Sequence, residues 1–276
     1  MADVRMVLRA PQGMASAPDT NGRGELIAPI ERGLGILAAF REGDEWLGNR
    51  EIAERTGIPK ATVTRLAQTL AAEGFLNHSS RLRKYRLAAR VLGLGYASTH
   101  SFDLAATARP LLQEFADQCG VFAALASRDG LESTIVELSH SSTTLMTLAV
   151  GHGAQFPLEG TPLGLALLAG LPDNESEYLL ERIRLRHPAD HRLALRQRIA
   201  DAKSQVRQRG YCACAGDLNA ELVVAAAPLS MREHPAFVIA CAAPASSLTR
   251  ARLVEFVGPR LTALAERLRS MEAAHD

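Results

Sequence analysis

The chain has 276 residues, 31 Lys and Arg against 30 Asp and Glu for a formal charge of +1, and 47% apolar residues. That length suggests about two domains, and the balance of apolar and charged residues excludes an intrinsically disordered chain. The longest apolar runs, Val223 to Leu229 and Phe237 to Ala245, fall well short of the roughly 20 residues a spanning helix needs, so no membrane partner is expected.

Residues 1–25 hold Pro11, Gly13, Pro18, Gly22 and Gly24 among small polar residues and lack the apolar centre of a signal peptide. They read as a disordered tail. With four cysteines in the whole chain, the expected compartment is the reducing cytoplasm.

A domain is expected over 26–87. Its first helix should place Ile30, Leu34, Leu37 and Phe40 on one buried face. Gly33-Leu34-Gly35-Ile36-Leu37-Ala38 fits a dinucleotide-binding fingerprint by letters, but no strand precedes it. Close approach of another helix explains these glycines better, and no cofactor is expected.

From Asn49 to Phe75 the pattern is two helices joined by a tight turn. Asn49 is the expected N-cap of the first helix, with Leu47, Ile52 and Ala53 as its apolar face. Gly57 can take the left-handed conformation that ends a helix, and Pro59 suits the first turn of the next. In that second helix Val63, Leu66, Ala67 and Leu70 recur at i, i+3, i+4, i+7, a single buried stripe. Lys60, Ala61 and Thr62 at its start, with Thr64, Arg65 and Gln68 along its open side, supply donors, acceptors and small apolar groups suited to reading base edges in a major groove.

Gly74 should stop this helix before a hairpin of Phe75 to His78 and Lys84 to Leu87 around Ser79 to Leu82. Arg81, Arg83, Lys84 and Arg86 cluster on that wing. From Lys60 to Arg90 there are seven basic residues against Glu73 alone, an excess of six in a chain whose total is +1. Such concentration is the footprint of phosphate binding. The competing reading is a protein-interaction winged helix with a merely solvated charged face.

Residues 88–102 should form a helical linker, with helix from Ala88 to about Ala97. Asp103 to Cys119 should be a second helix, with Leu104, Ala108, Leu111, Leu112, Phe115 and Cys119 as its stripe. Over 103–276, strands are expected at Val121 to Ala126, Ser133 to Leu138, Thr143 to Val150, Tyr211 to Cys214, Leu222 to Ala227 and Ala236 to Ala242. Helices are expected at Leu163 to Ala169, Glu175 to Leu185 and His191 to Arg209. A last helix, Thr249 to Met271, should be kinked or divided by Pro259. The architecture is therefore α+β, an antiparallel sheet with packed helices behind a winged helix-turn-helix. Cys212 and Cys214 lack the further ligands of a tetrahedral site, so no metal is expected.

Three stretches of the first domain, Ile30 to Leu37, Glu51 to Leu66 and Tyr85-Arg86-Leu87, closely resemble the isocitrate lyase regulator (IclR) family of bacterial transcription factors. Arg109-Pro110, Gly160 to Gly164, Gly210-Tyr211, Ala226 to Leu229 and Pro244 to Thr249 follow in the order and spacing of that family's second domain. The resemblance spans about residues 26 to 272. It implies a GAF-like C-terminal domain that binds a small-molecule effector, often an organic or aromatic acid, and double-stranded DNA as partner. It also implies a homodimer on paired half-sites, with further assembly to a tetramer left open.

Carried across by motif, the effector lining is Pro162, Leu163, Cys214, Leu222, Val224, Ala240 and Ala242. Some relatives carry serines on the last strand, an acid after the Gly-Tyr pair and a His near position 159; this chain has Ala240, Ala242, Cys214 and Glu159. Each lost hydroxyl or carboxylate leaves a buried ligand oxygen unpaired at about 1–3 kcal/mol. A more apolar or aromatic effector, or weak ligand dependence, is therefore expected, with Glu159, Thr161 and Asp217 the nearest polar candidates. The leading function is an effector-responsive DNA-binding regulator, repressor or activator. The alternatives are an effector-independent regulator, an enzyme using Ser139, His140 and Ser141 or Cys214, and a protein-interaction module. For the enzyme, no base or oxyanion donors are identifiable.

Overall fold

The computed structural model describes residues 27–41, 43–100, 103–142, 150–186, 189–215, 222–230 and 236–272. They fall into two compact units that divide after position 102. The tail expected over 1–25, the strand expected at Thr143 to Val150 and Asp217 lie outside the described residues, as a whole or nearly so.

In the N-terminal unit, helix α1 (Ala28–Ala38) is followed by a short strand β1 (Leu47–Gly48), helices α2 (Asn49–Thr56) and α3 (Lys60–Ala72), and a wing of β2 (Leu76–Ser79) and β3 (Lys84–Leu87). The strands form one antiparallel sheet in the order β1-β3-β2, with Leu47 opposite Tyr85. The sequence reading did not contain β1, because two residues show no alternation. Ile36, Ala39, Leu47, Ile52, Val63, Ala67, Leu76 and Tyr85 close a small core. Helix α4 (Arg90–His100) follows the wing.

Three local expectations differ from the structure. Asn49 is the first residue of α2 rather than its cap; Gly48 takes the cap position, its amide donating to Glu51 Oε2 at 2.6 Å. Asn49 is then free to reach sideways to α3. On α1 the buried face is Ile36, Leu37, Ala39 and Phe40, while Ile30 and Leu34 are 57% and 62% exposed, because α1 meets α2 and α3 through its C-terminal half. A Cβ on Gly33 or Gly35 would meet nothing within 4 Å, so no close helix approach among the described residues explains them. Gly57, by contrast, ends α2 at φ +69°, the left-handed value expected of it.

The C-terminal unit begins with α5 (Asp103–Cys119). It continues through β4 (Phe122–Asp129), β5 (Glu132–His140), β6 (Gln155–Pro157), α6 (Pro162–Gly170), α7 (Asp173–Arg186) and α8 (Ala189–Arg209). Then come β7 (Cys212–Ala215), β8 (Leu222–Leu229), β9 (Phe237–Pro244), a single turn α9 (Arg250–Arg252) and α10 (Gly258–Glu272). Six strands form one antiparallel sheet in the order β6-β5-β4-β9-β8-β7. Because side chains alternate across a strand, Leu125, Ile239 and Ala225 face α5 and α10, while Ala124, Ala126, Val238, Ala240 and Ala226 face α6 and α8. Helix α6 is wholly apolar on all sides and is buried on all but its last turn.

A π-helical turn, Leu253–Val257, separates α9 from α10 just before Gly258-Pro259. The wider turn gives Pro259, which has no amide hydrogen, its place without a broken rod. A Cβ on Gly258 would lie 2.3 Å from the Tyr211 ring, so the helix start and that ring demand glycine together.

Candidate nucleic-acid interface and ligand face

On α3, Val63 and Ala67 are sealed into the core, which turns Lys60, Ala61, Arg65 and Gln68 outward and leaves Thr62 and Thr64 half-buried. No carboxylate pairs with Lys60 or Arg65 among the described residues. Thr64 is different. Its hydroxyl donates to Lys60 O at 2.9 Å and accepts from Asn49 Nδ2 at 3.0 Å, so its only proton is used inside the domain. Thr64 locks the start of α2 to α3 and holds the outer face of α3 in place.

The wing cations also divide. Arg81 and Arg83 are exposed and carry no ion pair among the described residues, whereas Lys84 Nζ lies 3.3 Å from Glu51 Oε2 and Arg86 sits over the Trp46 ring at 5.0 Å. The Gly48 amide and then Lys84 hold the Glu51 carboxyl below its ordinary range. Arg83 has φ +52°, the only described non-glycine residue with positive φ. Its side chain borders a cleft of about 290 Å³ between α3 and the wing, lined also by Asn49, Thr64, Gln68, Ala71, His78 and Tyr85. Asn49 Oδ1 is buried at this cleft without a hydrogen-bond partner among the described residues.

The scaffold behind this surface is pinned by Arg55. It pairs with both carboxylate oxygens of Asp44, one of them at 3.1 Å, and donates to Ala39 O at 2.9 Å. That pairing keeps the Asp44 carboxyl below the usual carboxylate range. The orienting roles of Asp44, Glu51 and Arg55 carry no sequence signal, because single polar residues have no periodicity; the S/T-x-x-E type of spacing from Gly48 to Glu51 is the one available hint, and Asn49 stands out only as a cap.

In the C-terminal unit, Leu222, Val224, Ala240 and Ala242 share the sheet face beneath α6, and Cys214 pairs with Val224 across β7 and β8. Pro162 and Leu163 lie buried in the first turn of α6. Thr161 caps that helix: its Oγ1 accepts from Gly164 N at 3.1 Å and donates to Pro157 O at 3.3 Å. Glu159 offers its carbonyl to Arg198 Nη1 at 3.3 Å. A Cβ on Gly164 would lie 2.1 Å from Leu158 O, so only glycine lets α6 start here.

On the opposite face, the buried Glu137 is met by Arg109 Nη2 at 2.9 Å and Nε at 3.1 Å, and by His152 Nε2 at 3.4 Å. This explains Arg109 as an anchor of α5 on β5. Ser139 and Ser141 are buried while His140 is exposed, and Ser139 and His140 point to opposite faces of β5. They do not assemble into a nucleophile with a base.

The model of the IclR helix-turn-helix domain matches residues 29–80, and that of the bacterial transcriptional regulator IclR C-terminal domain matches residues 96–269. The HTH-type transcriptional regulator TsaQ1/TsaQ2 of Comamonas testosteroni is 31% identical over 252 residues, 90% of each chain. A crystal structure of an IclR family transcriptional regulator from Brucella abortus superposes with a TM-score of 0.72 at 32% identity, covering 90% of this chain and 93% of that one. An IclR homologue from Microbacterium hydrocarbonoxydans, solved with 4-hydroxybenzoate, shares the fold at 20% identity and a TM-score of 0.67, covering 89% and 99%.

Proposed function

The chain belongs to the IclR family of bacterial transcriptional regulators, DNA-binding proteins rather than enzymes, and from that premise we propose that it acts as a homodimer whose two α3 helices read paired half-sites under the control of a small organic acid. The observation that carries the DNA reading is that Lys60 and Arg65 of α3 and Arg81 and Arg83 of the wing are all exposed and without ion pairs among the described residues. The guanidinium fork of Arg65 suits a bidentate contact to a guanine, and the wing cations suit contacts to phosphates.

Pairing with a second copy is supported by apolar surface that the subunit leaves open. Ile27, Ile30 and Leu34 recur at i, i+3, i+7 and are each more than half exposed, as are Leu92 and Leu94 on α4. An eleven-residue helix such as α4, with Gly93 and Gly95 in it, is marginal alone and gains most from a neighbour. A second subunit would cover these faces and set the spacing of the two α3 helices at about 34–36 Å, one turn of duplex.

The effector reading rests on the sheet face under α6. There the side chains that β8 and β9 supply, Leu222, Val224, Ala226, Ala240 and Ala242, are apolar, and the Thr161 hydroxyl is committed to capping α6, which favours an aromatic or otherwise apolar acid over a small oxygen-rich one. Fluorescence anisotropy on a short duplex across a salt series tests the DNA part: affinity should fall steeply as salt rises. Adding 4-hydroxybenzoate or glyoxylate to the operator complex tests the effector part. A response to glyoxylate alone contradicts the apolar-face reading, and operator affinity indifferent to every acid in a panel favours an effector-independent regulator.

A further inference from the structure

Strand register places His140 in a row that runs straight across the ligand face. His140 of β5 pairs with Phe122 of β4, Phe122 with Ala242 of β9, Ala242 with Val224 of β8, and Val224 with Cys214 of β7. Directly paired residues in antiparallel strands point to the same side of the sheet. His140 therefore shares its face with Ala242 and Val224, and its ring lies against Phe122 with centroids 5.9 Å apart and planes at 27°. Phe122, Val224 and Ala242 offer only hydrocarbon, and Ala242 is half-buried where Phe122 and Val224 beside it are buried. The imidazole of His140 is exposed at the end of the row, and no polar group bonds its ring nitrogens among the described residues.

We infer that His140 is the anion-binding residue of the ligand face, holding the carboxylate of an aromatic monocarboxylic acid whose ring lies over Ala242 between Phe122 and Val224. The inference rests on the effector reading above and adds to it the residue that selects the charge. Neighbouring strands are about 4.8 Å apart, so His140 and Ala242 are separated along the row by ~10 Å with Phe122 between them, and an acid whose ring lies over Ala242 reaches His140 with its carboxylate across the Phe122 ring edge. The short side chain of Ala242 leaves height above the sheet, and Phe122 offers a ring edge to a second ring. A side chain on this face can carry positive charge only at His140 in this row, so an acid can bind in one orientation, with its carboxylate toward β5. The charged groups of α5 nearest this end of β5, Asp117 and Arg109, belong to the helix on the other side of the sheet; Gln113 of that helix donates to the His140 carbonyl at 3.0 Å and leaves the ring free.

Calorimetric titration of the full-length protein with benzoate and with the uncharged benzamide tests this. Wild type should bind benzoate about tenfold more tightly than benzamide, the ratio expected of one charge-assisted hydrogen bond. His140→Gln should lose that preference while keeping its benzamide affinity and melting temperature, and His140→Lys should restore it. Phe122→Leu should weaken both ligands alike. Unchanged benzoate preference in His140→Gln overturns the assignment of His140 and leaves the effector reading standing. Failure of wild type to bind either compound overturns both.

Discussion

Arg83→Asn separates two consequences of one residue. Arg83 closes the wing turn at φ +52°, where an L-residue with a long side chain is strained by roughly 1–2 kcal/mol and asparagine is tolerated better. The substitution should therefore stabilise the N-terminal unit by about 0.5–1 kcal/mol, a rise of a few degrees in its melting temperature. The same change removes an exposed cation that no carboxylate balances among the described residues. If Arg83 neutralises one phosphate, the slope of log affinity against log salt loses about 0.9. Between about 50 and 200 mM salt, a fourfold change, the affinity gap between wild type and variant should then shrink by about 3.5-fold. Anisotropy titrations over that range on selected and random duplexes, alongside thermal melts, read both effects. A variant that melts lower shows that the backbone there is not strained, and an unchanged slope shows that Arg83 does not touch DNA.

Arg65→Ala should cost about 1–3 kcal/mol on a selected site and relax preference at one or two base pairs, as read by binding to single-base variants of that site. Gly164→Ala forces a Cβ to within 2.1 Å of Leu158 O, so the C-terminal unit should lose its cooperative thermal transition or melt far below wild type. Thr161→Val removes the cap of α6 and should destabilise that unit by about 1 kcal/mol in denaturant titration. Arg55 lowers the Asp44 pKa in the folded state, so Asp44 contributes stability that is present at neutral pH and lost as pH falls through that lowered value. Asp44→Asn should thus be less stable near pH 7 and show a shallower acid limb than wild type in pH-dependent unfolding.

The helix-turn-helix was legible because its signals agree with one another: a left-handed glycine at 57, a proline at 59 and a four-position apolar stripe all demand the same turn. The second unit was legible as strands and helices, since α5 begins and ends where its periodicity does. The direction of the α1 face was not. Apolar residues ring that helix on two sides, and the pattern does not say which side meets the subunit's own core and which remains for another surface. The roles of Thr64 and Thr161 were equally hidden, because a hydroxyl at a reading face and a hydroxyl spent on a cap have the same letter. His140 stood out in the sequence beside Ser139 and Ser141, but only the strand register separates their faces and turns it toward the apolar row.

The most direct test of the account is selection from a random-sequence duplex pool at low ionic strength by wild type and by Arg65→Ala. The account predicts that wild type enriches two related half-sites about one helical turn apart, and that Arg65→Ala blurs one or two positions in each. A wild-type pool that remains random, with no salt-dependent retention of duplex, would contradict the claim that the outer face of α3 reads DNA.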